Sequence, residues 1–150
     1  FLKLSHKIGA TTALITFNNL DNIKYVDKII KTYVGPEIIS GSTRMKSGTA
    51  TKMILNMISS ITMIKLNKTY GNYMVDLNVV NKKLEKRAIN ILKALTGLNN
   101  SEAQIILKKS EGKVKNAIIM TNLKVSYHES IKLIAKYNGN LRLILGNDKN

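Results

Sequence analysis

The sequence contains no cysteine and no tryptophan, a single proline, two histidines, and only nine acids against 24 lysines and arginines. Without cysteine there can be no disulfide, no thiolate metal site and no cysteine nucleophile. The histidines, His6 and His128, offer no metal-ligand spacing and read as exposed or capping residues, so no metal and no other cofactor is expected. Long hydrophobic runs are missing too. The most apolar stretch, Met53 to Ile64, carries Asn56, Ser59 and Ser60, and is too short and too polar to cross a bilayer. The opening FLKLSHKIGATTALITF has neither the charged leader nor the cleavage site of a signal peptide. It reads as the end of a helix running into a buried strand, and the expectation is a chain that begins inside a domain.

What remains is ample for a core. At 150 residues and 44% hydrophobic content, the chain fits one soluble globular domain or a piece of a larger one. A net charge of +15 invites a nucleic-acid reading, since cations bind phosphates through counterion release. Yet the arginines are only Arg44, Arg87 and Arg142, and the aromatics form no stacking stripe. Lysine, isoleucine and asparagine are all heavily used, which points to a compositional bias spread over solvated faces. Neither nucleic acid nor membrane is expected as a partner.

Along the chain, residues 2–8 look like the last turns of a helix stopped at Gly9, and Thr11 to Phe17 is a β-branched run. A continuous apolar strand of this kind suits a parallel sheet covered on both faces. Ile23 to Ile30 suggests a short helix and Lys31 to Val34 a second strand, ended by Gly35-Pro36 because proline cannot donate to a ladder. From Ser42 to about Leu66 the pattern predicts a long helix, with Ser42 or Thr43 as N-cap and a middle apolar nearly all round, hence buried in a core or a subunit interface. Tyr70 to Leu77 reads as a turn. It leads to an amphipathic helix striped by Leu77, Val80, Leu84, Ile91 and Leu95 and closed by Gly97. Three shorter helical patterns follow, near 101–110, 113–123 and 126–137, the last opened by a capping box at Ser126 and Glu129.

The stretch GPEIISGSTRMKSGTATK, residues 35–52, holds the densest cluster of site-like residues. Gly41-Ser42-Thr43 falls where a loop meets a helix start, whose unpaired N–H groups and partial positive charge suit an anion. Arg44 and Lys46 sit in the expected first turn, which the helix dipole disfavours for each cation by a few tenths to about 1 kcal/mol. Something negative should answer them, and Glu37 is the only acid between Asp27 and Asp76. Two readings stay open. Either the loop binds a phosphorylated or polyhydroxylated ligand, with Ser42 and Thr43 as hydroxyl donors and Glu37 as acceptor or base, or Gly and Ser fill turns, Thr caps, and Arg44 pairs with Glu37. Asn72, Asp76 and Asn81 could touch a ligand, but capping is the favoured role.

The same stretch resembles the signature of the sugar isomerase (SIS) branch that holds the N-acetylmuramic acid 6-phosphate etherases and the glucokinase regulatory proteins. It does so through Gly35, Pro36, Glu37, Gly41, Ser42, Thr43, Arg44, Met45, Lys46, Ser47, Gly48, Thr49, Ala50 and Lys52. The likeness continues through Leu55-Asn56-Met57, Tyr70 to Asp76, Asn81, Leu84, Thr96-Gly97 and Val114 to Ile118, with the bacterial etherases closer than the animal regulators.

This resemblance implies an α/β fold: part of a three-layer α/β/α SIS sandwich with a parallel sheet over residues 1–97, then a small helical bundle resembling a ubiquitin-associated (UBA) domain over 98–150. It implies a cytoplasmic lyase of peptidoglycan recycling, working as a homodimer without metal or nucleotide. The reaction cleaves the D-lactyl ether of N-acetylmuramic acid 6-phosphate to N-acetylglucosamine 6-phosphate and D-lactate, by elimination and water addition. Glu37, Ser42, Thr43, Arg44 and Lys46 carry over as substrate-binding residues. The catalytic glutamates are expected before Phe1, so this chain alone should be inactive. The alternative is a non-catalytic sugar-phosphate-binding regulatory protein of the glucokinase regulator type.

Overall fold

The computed structural model describes residues 1–146. They fall into two compact units, Phe1–Ser59 and Ser60 onward.

The first unit opens with helix α1, Leu2–Lys7, and a two-stranded parallel sheet of β1, Ala13–Thr16, and β2, Lys28–Lys31. Ala13 stands opposite Lys28 and Thr16 opposite Lys31. Where a short helix was expected over 23–30, the chain is an irregular crossover followed by strand. Asn22 and Tyr25 take positive φ (53° and 67°), which interrupts any helical turn there. The second strand accordingly runs over Lys28–Lys31 and not Lys31 to Val34, ending where its partner β1 ends at Thr16 and not at Gly35-Pro36. Asp27 pins the sheet's start by accepting hydrogen bonds from the Thr12 N–H at 2.7 Å and the Thr12 hydroxyl at 2.8 Å. These donors hold its carboxyl below the usual range.

Helix α2, Lys46–Lys65, crosses the boundary between the units. The sequence expectation placed its start at Ser42; the structure starts it at Lys46, with residues 43–45 in turns. Its apolar side chains are not in the chain's core. Met53, Leu55, Met57, Ile61 and Ile64 all stand more than half exposed, and Ser47 is the only buried residue on the helix.

The second unit holds the hydrophobic core. Residues 70–77, expected as a turn, contain a small antiparallel hairpin: β3, Thr69–Tyr70, against β4, Tyr73–Met74, turning at Gly71 with φ +57°. Five helices follow: α3, Lys82–Thr96; α4, Asn100–Lys109; α5, Val114–Leu123; α6, Tyr127–Lys136; and α7, Leu141–Leu145. Each of α3, α4, α6 and α7 begins with a side-chain cap, from Asn81, Asn99, Ser126 and Asn140. Those caps satisfy N–H groups that the helix cannot pair internally. Val75, Ala88, Leu92, Ala103, Val114, Ala117, Ile118 and Ile119 are wholly buried, and Leu141 and Ile144 close the cluster.

Candidate functional site

The loop between β2 and α2 is shaped by a carboxylate. Gly35 and Gly41 adopt left-handed φ of +69° and +81°, open to few other residues, and so turn the chain back on itself. This brings Glu37 under the first turn of α2. Its two oxygens accept one bond each from the Lys46 N–H and the Ser47 N–H, both at 3.0 Å. These backbone donors hold the Glu37 carboxyl below its ordinary value. The Lys46 ammonium, meanwhile, donates to the Pro36 carbonyl at 2.7 Å. The lone proline thus supplies, beside the capping carboxylate, the carbonyl that holds the Lys46 cation.

The structure corrects the expected cap. Among the described residues neither the Ser42 nor the Thr43 hydroxyl caps α2; Glu37 reaches forward to do it, and the helix start expected to await an anion already holds a carboxylate. Nor does Arg44 pair with Glu37. Arg44, Thr43 and Met45 are exposed and Ser42 is half-buried. The Ser42 N–H bonds to the Ile39 carbonyl at 3.0 Å, which orients the loop's crest. Gly48 lies beside Thr43, where an added Cβ would stand 3.5 Å from the Thr43 carbonyl, in ordinary contact. The loop therefore presents the exposed Thr43 and Arg44, with Ser42 half-buried beside them, on a frame whose own cation, Lys46, is answered internally.

A second polar surface, in the other unit, was not singled out from the sequence. Lys83, Lys86 and Arg87 on α3 line a concavity of about 490 Å³ with Asn90 and Ile91, facing Asn72, Tyr73 and Met74 of the hairpin. That volume lies in the range of small-molecule sites. The signal was present as cations spaced by three and four residues, which share one helix face. It was masked by the density of lysine everywhere else. Asn81, just before α3, is engaged as its cap, accepting from the Leu84 N–H at 2.9 Å. Asp76 pairs with Lys68. His128 is exposed, and His6 stands 3.8 Å from the Asp27 carboxylate. Among the described residues no three histidines or acids converge as metal ligands, and no helix is long and apolar enough to cross a membrane.

Residues 71–136, which run from the hairpin's turn through β4 and α3 to the end of α6, match the family model described as the C-terminal lid domain of glucokinase regulatory protein. Curated relatives extend the likeness upstream through the Glu37 loop. An N-acetylmuramic acid 6-phosphate etherase of Petrotoga mobilis is 49% identical over 120 residues, 79% of this chain and 40% of the relative. The chain is a homologue of part of these etherases. The Bacillus subtilis etherase is 45% identical over 139 residues, covering 92% of this chain and 46% of its own length. That of a Geobacillus species is 43% identical over 145 residues, 96% and 49% respectively. The chain thus spans less than half the length of each of these etherases.

Proposed function

We propose that this chain is a portion of a lyase that cleaves the D-lactyl ether of N-acetylmuramic acid 6-phosphate, giving N-acetylglucosamine 6-phosphate and D-lactate. The observation that carries the reading is the 43–49% identity to etherases over 79–96% of the chain. In such an elimination a base removes the proton at C2 of the opened sugar, lactate leaves from C3 as an acid protonates its oxygen, and water adds across the resulting alkene. We assign neither acid nor base to residues of this chain. Glu37 is a poor base, because both its oxygens are held by N–H donors and its pKa is lowered.

The role that suits Glu37 is to hold the loop, so that Ser42, Thr43 and Arg44 face a phosphorylated amino sugar, with Lys46 tied to the loop's own carbonyl. The concavity of Lys83, Lys86 and Arg87 is a further surface suited to an anion. On the same reading, residues 1–97 complete part of a three-layer SIS sandwich and 98–150 form a UBA-like bundle. The whole protein would act as a cytoplasmic homodimer in peptidoglycan recycling.

The test is lactate release from N-acetylmuramic acid 6-phosphate by the whole protein between pH 6 and 9. Release supports the lyase. Binding of the sugar phosphate with no release would favour the second reading, a non-catalytic regulator, for which the match to the glucokinase regulatory lid is the specific support.

A further inference from the structure

The β3–β4 hairpin has two residues per strand, too little pairing to hold itself in water. Its tip nevertheless forms one wall of the cationic concavity, through Asn72, Tyr73 and Met74. Val75 anchors it from the core, fully buried, with Tyr70 and Tyr73 packed alongside. Its base is fastened differently. The Lys68 carbonyl accepts from the N–H groups of Val75 at 3.0 Å and Asp76 at 3.3 Å, joining the two legs. Lys115, in the first turn of α5, is 7% exposed and donates its ammonium to the Asn67 carbonyl at 2.8 Å, just before the hairpin. The same ammonium lies 3.9 Å from the Asp76 carboxylate, just after it.

The surroundings fit this cation closely. Asn67 adopts φ +56° to turn its carbonyl inward, and its side-chain amide donates to the Asn138 carbonyl at 3.2 Å. The next residue, Gly139, is buried, and a Cβ there would come within 3.0 Å of the Lys115 nitrogen. A larger residue at this left-handed position (φ +71°) would be strained and would press on the ammonium.

A buried cation at a helix N-terminus is an unfavourable choice for stability alone. The dipole opposes it, burial pulls its pKa below the ordinary lysine value against the pull of Asp76, and an apolar side chain of similar size often serves a core as well. We propose that Lys115 is a positioning residue: it clamps both legs of the hairpin and so fixes Asn72, Tyr73 and Met74 opposite Lys83, Lys86 and Arg87. The clamp stands on the geometry; its consequence for ligand binding rests on the concavity being a sugar-phosphate surface.

The experiment compares the whole protein with its Lys115→Met and Asp76→Asn variants, the second sparing the core if the first folds poorly. Amide hydrogen exchange is read at the hairpin and at core positions Ile118 and Leu92, and binding is titrated with N-acetylglucosamine 6-phosphate and with inorganic phosphate. In Lys115→Met the hairpin amides, Val75 and Asp76 first, should exchange about tenfold faster with the core unchanged. Sugar-phosphate affinity should fall several-fold, appearing in KM more than in kcat where lactate release is measured. Hairpin exchange at the wild-type rate overturns the clamp, and equal acceleration of hairpin and core makes Lys115 merely structural. A loosened hairpin with unchanged affinity overturns the positioning role. If the unaltered protein binds neither probe, the sugar-phosphate reading of the concavity falls, while the exchange data still decide the clamp.

Discussion

Glu37 shows how one side chain can hold a loop and yield a measurable pH signature. Its folded-state pKa is lowered by the Ser47 and Lys46 N–H groups, so the carboxylate form favours the folded loop. That contribution is fully present above the unfolded value of 4.5 and is lost as pH falls through the lower folded value. Protection at the first turn of α2, taken relative to the intrinsic exchange rate at each pH, should therefore fall below pH 4.5, and Glu37→Gln should show the lower protection already at neutral pH with little further change on acidification. Arg44 behaves oppositely. It makes no hydrogen bond or ion pair among the described residues, so Arg44→Ala should leave the melting temperature unchanged while weakening sugar-phosphate binding in a titration. Unchanged binding would remove Arg44 from the site. The sequence made Glu37 visible as the one acid in its stretch, but its cap spans nine and ten residues. Local capping rules look only three or four residues ahead, and so Ser42 and Thr43 took the role on paper.

At the scale of elements, the helical bundle was legible because its punctuation is local. Asn81 with Gly97, and Ser126 with Glu129, mark helix ends by bonds to their own first or last turn. Asn81→Ala removes the α3 cap and should cost about 0.5–2 kcal/mol in chemical denaturation. The hairpin was not legible, and the second strand was legible in existence but not in its bounds, for the converse reason. A strand as short as Lys28–Lys31 is defined by its partner, and the apolar spacing of Ile23, Val26 and Ile30 mimics a helix until Asn22 and Tyr25 take positive φ. Helix α2 was legible in type and in its C-terminal end but not in its start, and its apolar residues lie outside this chain's core, since an all-round apolar pattern states a need for cover without naming what supplies it. Replacing Met53 and Met57 by Lys should accordingly reduce the binding of a hydrophobic dye to this 150-residue chain.

Across the whole molecule, order is unevenly founded. Among the described residues every buried apolar side chain lies between Val75 and Ile144, and the buried residues of 1–59 are Thr12, Thr16 and Ser47. In denaturant, exchange by mass spectrometry should show residues 1–59 losing protection before the bundle. Leu92→Ala, at the fully buried centre, should cost about 2–5 kcal/mol and lower the bundle's midpoint. Equal loss of protection in both units would show that the small sheet draws stability from elsewhere. The Glu37 cap has one more consequence, for a cut chain. Ile38 and Ile39 protrude at 76% and 70% exposure on the loop between the carboxylate and the helix it serves. A single proteolytic nick there leaves every residue in place but turns the cap into a contact between two fragment ends, without the effective concentration that chain continuity supplied. Limited proteolysis at this loop would thus silence α2's first turn without removing one of its atoms.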